Sequence, residues 1–179
     1  QAYDHCSFLF CDMVQFTKMS SGVTAPQLVQ IMNKIFVAFD RICQFVKAEK
    51  IKTMGDCYFA ASGVPTPNKN HAESLVDMGL LFIESILLIS EAEQRNIQVR
   101  VGVASGSCIG GVIGLSKFCF DVWGKAVNMA AVMESTGIAM KVQIHRNTYM
   151  EVYDKYEFIE YNNILKDKEV KNYIVVKKH

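Results

Sequence analysis

Between Pro26 and Val46 the chain places apolar residues at 28, 31, 32, 35, 36, 39, 42, 43 and 46. Steps of three and four residues put them all on one side of a helix, giving a wide apolar face. A face of that width is stable only against a second layer, and the neighbouring segments say what that layer is. Residues 5–12 form a short apolar run that ends on Asp12, the pattern of a buried strand. Residues 51–54 and 57–61 flank Gly55-Asp56, a dipeptide suited to a tight hairpin. The helix therefore lies between strands and packs on the sheet they build.

The remaining pattern continues in the same manner. Val64-Pro-Thr-Pro67 reads as a loop, and a second helix runs from about 72 to 93. Strands are expected at about 97–105, 107–114 and 118–123, separated by glycine pairs and Ser105-Gly106. A helix near 125–135 ends before Gly137, a candidate cap, and short strand, helix and strand elements close the chain. Helix, hairpin, helix and strand in this order predict an α+β fold of the ferredoxin type, an antiparallel sheet flanked by helices. Half of the 179 residues are apolar, enough for one core, and no repeat or linker divides them. Residues 1–179 are expected to form a single domain, part of a longer protein.

Charge narrows the function. Lys plus Arg (19) and Asp plus Glu (18) nearly cancel, which argues against a nucleic-acid partner held through its phosphates. An anionic ligand has to be met by a local constellation instead. No run of about eighteen apolar residues is present, so this segment is not expected to insert into a membrane. The six cysteines lack C-x-x-C spacing, and several lie in apolar runs such as Phe118-Cys-Phe120. They read as buried reduced thiols, which predicts a reducing, cytosolic setting.

Two carboxylates stand out. Asp12 ends a strand and Asp56 sits at a hairpin tip, so neighbouring antiparallel strands would bring both to one sheet edge. Close carboxylates take up protons unless cations neutralise them. Magnesium takes oxygen ligands and keeps positions open for substrate phosphates, so a sparse aspartate pair suits it. The segment after Asp12, Met13-Val-Gln-Phe-Thr17, leads toward a helix, and its amides are candidates for cradling phosphate oxygens.

Several segments together resemble the class III adenylyl and guanylyl cyclases. They are Phe8-Leu-Phe-Cys-Asp12-Met-Val-Gln-Phe-Thr17, Lys50-Ile-Lys-Thr-Met-Gly-Asp56-Cys-Tyr-Phe59 and Val99-Arg-Val-Gly-Val103. Phe120-Asp-Val-Trp-Gly124, Val127-Asn128 and Val132-Met-Glu-Ser-Thr-Gly137 follow in the same order. The resemblance spans nearly the whole chain. It implies a domain that turns a nucleoside triphosphate into a 3′,5′-cyclic nucleotide and pyrophosphate with two Mg²⁺ or Mn²⁺ ions. In such a site Asp12, Asp56 and the Met13 carbonyl would hold metal, and Phe16, Thr17, Arg100 and Lys166 would meet the phosphates. Lys52 and Asp121 match a pair that reads adenine, which favours ATP over GTP, and Asn128, counted in the catalytic set with the two aspartates, matches a ribose contact. The family brings base and ribose contacts from the half opposite the aspartates, so in a metal-bearing half Lys52 and Asp121 would line the second site and the partner would choose the base. The Met-Gly-Asp-Cys-Tyr text departs from the hairpin of diguanylate-type cyclases, which disfavours that rival.

The family's sites lie between two cyclase domains, so a second such domain is the expected partner. One departure shapes that expectation. Four residues after the ribose-contacting asparagine the family carries an arginine that meets transition-state charge, and this chain has Val132. Valine supplies no charge. The chain therefore resembles the first, metal-bearing half of tandem transmembrane adenylyl cyclases, with a complementary half supplying the arginine. That places it on the cytoplasmic side of a larger membrane-attached or multidomain protein. A guanylyl cyclase half and a silent regulatory half are the alternatives.

Overall fold

The computed structural model describes the backbone of residues 1–165 and 168–179, and side chains outside 163–168. Lys166 thus lies outside the described residues. The chain runs β1 (Ala2–Met13), α1 (Phe16–Ser20), α2 (Ala25–Phe45), β2 (Glu49–Met54), β3 (Cys57–Ser62) and α3 (His71–Glu93). It continues β4 (Val99–Ile113), β5 (Cys119–Trp123), α4 (Lys125–Ser135), β6 (Val142–His145) and α5 (Arg146–Val152). Then come β7 (Tyr156–Glu160), the paired short strands β8 (Asn163–Leu165) and β9 (Lys168–Val170), and β10 (Asn172–Lys178). The main sheet has the order β2-β3-β1-β4-β6-β10-β7, with β5 paired to β4.

The α+β reading holds. All the described pairings are antiparallel except β4 with β6, which run parallel over Val101–Val103 and Val142–Ile144. A parallel neighbour needs a crossover, and α4 provides it. β4 is one strand of 15 residues, where two were expected. Its glycines do not break it; they admit neighbours. A β-carbon at Gly106 would stand 2.9 Å from the Ala126 β-carbon, and one at Gly110 would stand 2.9 Å from the Phe120 ring.

Side-chain alternation along β1 divides the core. Leu9, Cys11 and Met13 face α2 and α3, packing with Ile31, Ile35, Phe39, Leu75 and Phe82. The Phe39 and Phe82 rings stack with centroids 3.7 Å apart. Phe8 and Phe10 face the other way, onto Phe59, Ala104, Val127 and Ala130 under α4. Thr24 and Gln27 form a reciprocal cap at the start of α2, with Pro26 in its first turn. All six cysteines are free, but the expectation of burial fails for Cys119, which is exposed on the β4–β5 arm, and Cys57 is half-buried. No described helix is long and apolar enough to cross a membrane.

The position of α4 depends on Gly102. A β-carbon there would lie 2.1 Å from the Glu134 amide nitrogen and 2.6 Å from the Ala130 carbonyl oxygen. The helix backbone rests on the strand with nothing between. Gly102→Ala must push α4 outward, since backbone cannot yield as a flexible side chain does. The expected result is a loss of about 2–3 kcal/mol in denaturant unfolding. Unchanged stability would show that α4 has room to spare.

Candidate active site

Asp12 is the penultimate residue of β1, on the same face as Phe8 and Phe10, toward α4. Asp56 follows Gly55 in the two-residue turn between Met54 and Cys57. Gly55 has φ 60° at the first turn position, where primed hairpin turns require a positive angle. Register brings β3 beside the end of β1, with Cys11 opposite Tyr58. The two carboxylates therefore meet, as the pattern predicted, although they are 44 residues apart in the chain (56 − 12).

Their electrostatics are unfavourable without a cation. Burial comes first, then Asp56, then Glu134 on α4, and together they push the Asp12 carboxyl up to about 7. The Met13 amide opposes this only partly. Asp12 Oδ1 is buried and has no hydrogen-bond partner among the described residues. A buried acceptor left unpaired costs about 1–3 kcal/mol, so the site fits an oxygen-seeking cation. Among the described residues, no group of three or more His, Cys, Asp or Glu side chains is arranged to hold an ion. An aspartate pair with open positions is what magnesium needs when phosphate oxygens fill the rest.

Arg100 lies opposite Asp12 in the β1–β4 register. Its guanidinium is engaged with Glu134, Nε donating to Oε1 at 3.2 Å. Glu134 was not singled out from the sequence, yet a signal existed. It falls at helical spacing from Val127 and Ala130, on the buried side of α4, where a carboxylate requires a partner.

The remaining candidates sort into three groups. Lys52 and Asp121, 69 residues apart in sequence, meet with Nζ 2.6 Å from Oδ2. The other Asp121 oxygen accepts from the Val122 amide at 2.9 Å. Asn128 is exposed on α4, one turn before the half-buried Val132. Met13 is buried, and the backbone after it turns through Gln15 in the left-handed region (φ 52°) into α1. The Val14 amide is already bonded to the Gln98 carbonyl at 2.8 Å, so it is not open to phosphate as the sequence reading had it. Phe16 and Thr17 begin α1, where helical geometry leaves the first amides without partners.

The raised Asp12 carboxyl has a pH signature. Between its ordinary 3.8 and about 7, the folded cation-free chain holds a proton that the unfolded chain releases. Asp12 therefore costs nothing at low pH and destabilises increasingly as pH rises toward 7. Asp12→Asn is expected to match the parent near pH 4 and exceed it by about 2 kcal/mol at pH 8. Urea unfolding with and without chelator checks this, and added Mg²⁺ should narrow the gap. A gap that ignores pH would refute it.

The family model for the adenylate and guanylate cyclase catalytic domain matches residues 1–177. Adenylate cyclase type 9 of Xenopus laevis is 42% identical over 156 residues, covering 87% of this chain and 12% of that protein. An adenylate cyclase of Mycobacterium tuberculosis is 35% identical over 162 residues, covering 90% of this chain and 37% of its own length. The chain thus spans a minor part of these relatives. Among solved structures, the guanylate cyclase domain of RhGC from Catenaria anguillulae, in complex with GTP, superposes with a TM-score of 0.94. Its sequence is 28% identical, and all of both chains is covered. With both carboxylates at one sheet edge and matches that run almost end to end, the chain belongs to the adenylate and guanylate cyclase catalytic domain family.

Proposed function

We propose that this chain is the metal-bearing half of a nucleotidyl cyclase that makes a 3′,5′-cyclic nucleotide and pyrophosphate, with ATP the favoured substrate. The observation that carries the reading is the convergence of Asp12 and Asp56, with a buried Asp12 oxygen left unpaired. In the reaction the ribose 3′-oxygen attacks the α-phosphorus in line, the bond to the β-phosphate bridge breaks, and the hydroxyl proton is lost. Asp12, Asp56 and the Met13 carbonyl are the groups to hold two divalent cations, Mg²⁺ or Mn²⁺. When bound, these ions supply activation of the attacking oxygen and stabilisation of the leaving one.

The chain's own groups bind and orient. The Phe16 and Thr17 amides and the Arg100 guanidinium meet phosphate oxygens, and Asn128 orients the ribose in whichever of the two shared sites its own helix α4 faces. Lys166 belongs to the same proposed phosphate set. Lys52 and Asp121 set a donor beside an acceptor, the complement of adenine's adjacent acceptor and amino donor. Guanine presents the reverse polarity there, which favours ATP. GTP in the Catenaria relative keeps a guanylyl cyclase as the second reading.

Two features support a second cyclase domain as partner. The β4–β5 arm displays Ile109, Val112, Ile113, Leu115 and Phe118 to solvent, with Leu115 fully exposed. A patch of that size asks for a protein surface. A cleft of about 730 Å³ beside the start of α4 takes in Trp123 and Lys125 but none of Asp12, Asp56 and Arg100. The carboxylates lie outside that cleft, which suits a nucleotide site closed by another body, and Val132 needs another domain's arginine. The assembly is proposed to sit on the cytoplasmic side, within a larger membrane-attached or multidomain protein.

In the active assembly containing this chain, Asp12→Ala and Asp56→Ala are each expected to reduce cyclic nucleotide formation to background while thermal melting still shows a folded domain. Assays with ATP and with GTP, in Mg²⁺ and in Mn²⁺, check this. Near-normal turnover with either change would remove the chain from the metal-bearing role, and faster turnover of GTP would favour the guanylyl reading.

The missing arginine yields a separate test. Val132 lies one turn beyond Asn128 on the same helix, so an arginine there projects beside the ribose contact. Val132→Arg is expected to raise kcat of the isolated chain by at least about tenfold with little change in KM, because the group acts on transition-state charge. Equal rates at matched protein concentration would defeat the asymmetric pairing.

A further inference from the structure

Glu134 is the one charged residue among the buried residues of α4, which otherwise comprise Val127, Ala130 and Met133. Burial raises its carboxyl, Arg100 pulls it back, and Asp56 pushes it up again. Three carboxylates (Asp12, Asp56 and Glu134) are therefore within electrostatic reach of one another. A third carboxylate makes the cation-free site less stable, so its presence calls for a reason beyond stability.

The register supplies that reason. Arg100 is the residue directly across from Asp12, and Asp12 has a buried oxygen lacking a partner. Directly opposed residues of antiparallel strands project to the same face, so an unrestrained Arg100 side chain is able to reach the Asp12 carboxylate. Arg100 instead donates through Nε to Glu134 at 3.2 Å. The planar fork has further donors on its terminal nitrogens, and an acceptor on Nε leaves these available to a second planar or tetrahedral anion. Glu134 is not needed to hold the helix down, because α4 is already seated by backbone contact on Gly102.

We propose that Glu134 is a positioning residue of the cyclase site: it holds Arg100 by Nε, keeps it off Asp12, and so leaves the Asp12 carboxylate to cations and the terminal guanidinium nitrogens to the triphosphate. The proposal rests on the function put forward above for Asp12, Asp56 and Arg100. Two consequences separate it from a plain ion pair. Removing Glu134 lets Arg100 fall onto Asp12, which weakens cation binding before any nucleotide arrives. Removing Arg100 as well takes away the intruder, and the loss should then disappear.

The test is Mn²⁺ binding to the full protein without nucleotide, followed by electron paramagnetic resonance, for the parent, Glu134→Ala, Arg100→Ala and the double variant. Glu134→Ala is expected to weaken Mn²⁺ binding about fivefold or more in the parent background and to have little effect in the Arg100→Ala background. The same fold loss in both backgrounds would overturn the proposal, since it would mean that Glu134 acts by its own charge or by holding the structure. No Mn²⁺ binding by the parent would overturn it too. Should Glu134→Ala fail to fold by thermal melting, Glu134→Leu removes the acceptor at similar size and serves in its place, with the same two outcomes. Cyclic nucleotide formation is measured on the same preparations. Rescue of Mn²⁺ binding by the second change, where the parent mixed with a complementary cyclase domain turns over no nucleotide, would uphold the role of Glu134 and sink the cyclase reading. Turnover with no rescue would do the reverse.

Discussion

Because Gly102 carries no side chain, the α4 backbone lies directly on β4, and that contact fixes where three separate groups stand. It sets Glu134 beside Arg100, places Asn128 and Val132 one turn apart at a defined height above the sheet, and closes the second core over Phe8 and Phe10. The first core, under α2 and α3, has ample apolar side chains to define itself. The α4 side is thinner and depends on backbone proximity. The chemistry is proposed on the thinner side, where a small change in helix height moves a charge.

How much of this was legible in the sequence varies by element, for physical reasons. The α2 helix and the β2–β3 hairpin were plain, since nine apolar positions share one helical face and Gly55-Asp56 offers one turn solution. The unity of β4 was hidden. Gly106, Gly110 and Gly111 look like punctuation in one dimension, and only the packing shows that two of them are there to admit Ala126 and Phe120. The parallel β4–β6 pair was equally invisible, because pairing direction follows from a crossover and not from local composition.

The candidate site shows a similar division. Asp12 and Asp56 were readable from strand and turn signals, and Lys52 with Asp121 only through resemblance, since nothing in 69 residues of separation hints at a 2.6 Å contact. Glu134 lies within the Val132–Gly137 segment, and its phase on α4 marks it as buried. Charge type alone did not reveal it; charge type combined with helical phase would have. The two polar clusters also differ in character. Lys52 and Asp121 neutralise each other and leave a donor beside an acceptor with no net charge. The carboxylate cluster has more negative groups than Arg100 can offset, which is a demand for cations rather than for shape.

β4 also joins two regions that would otherwise be remote. Arg100 stands near its start and the exposed apolar arm at its end, Ile109–Ile113, with no loop between them. At about 3.3 Å per residue, the strand carries roughly 40 Å of continuous backbone from one to the other. Over most of that length it is clamped by β1, Gly110 still exchanges hydrogen bonds with Gln1, and from Gly111 on the described strand pairing is with β5. A tilt imposed on the free end by a docking body therefore travels along a stiff beam with its fulcrum at the edge of β1. The strand is in this sense a lever, whose short arm beyond β1 is the one a docking body would grasp and whose longer arm carries the guanidinium.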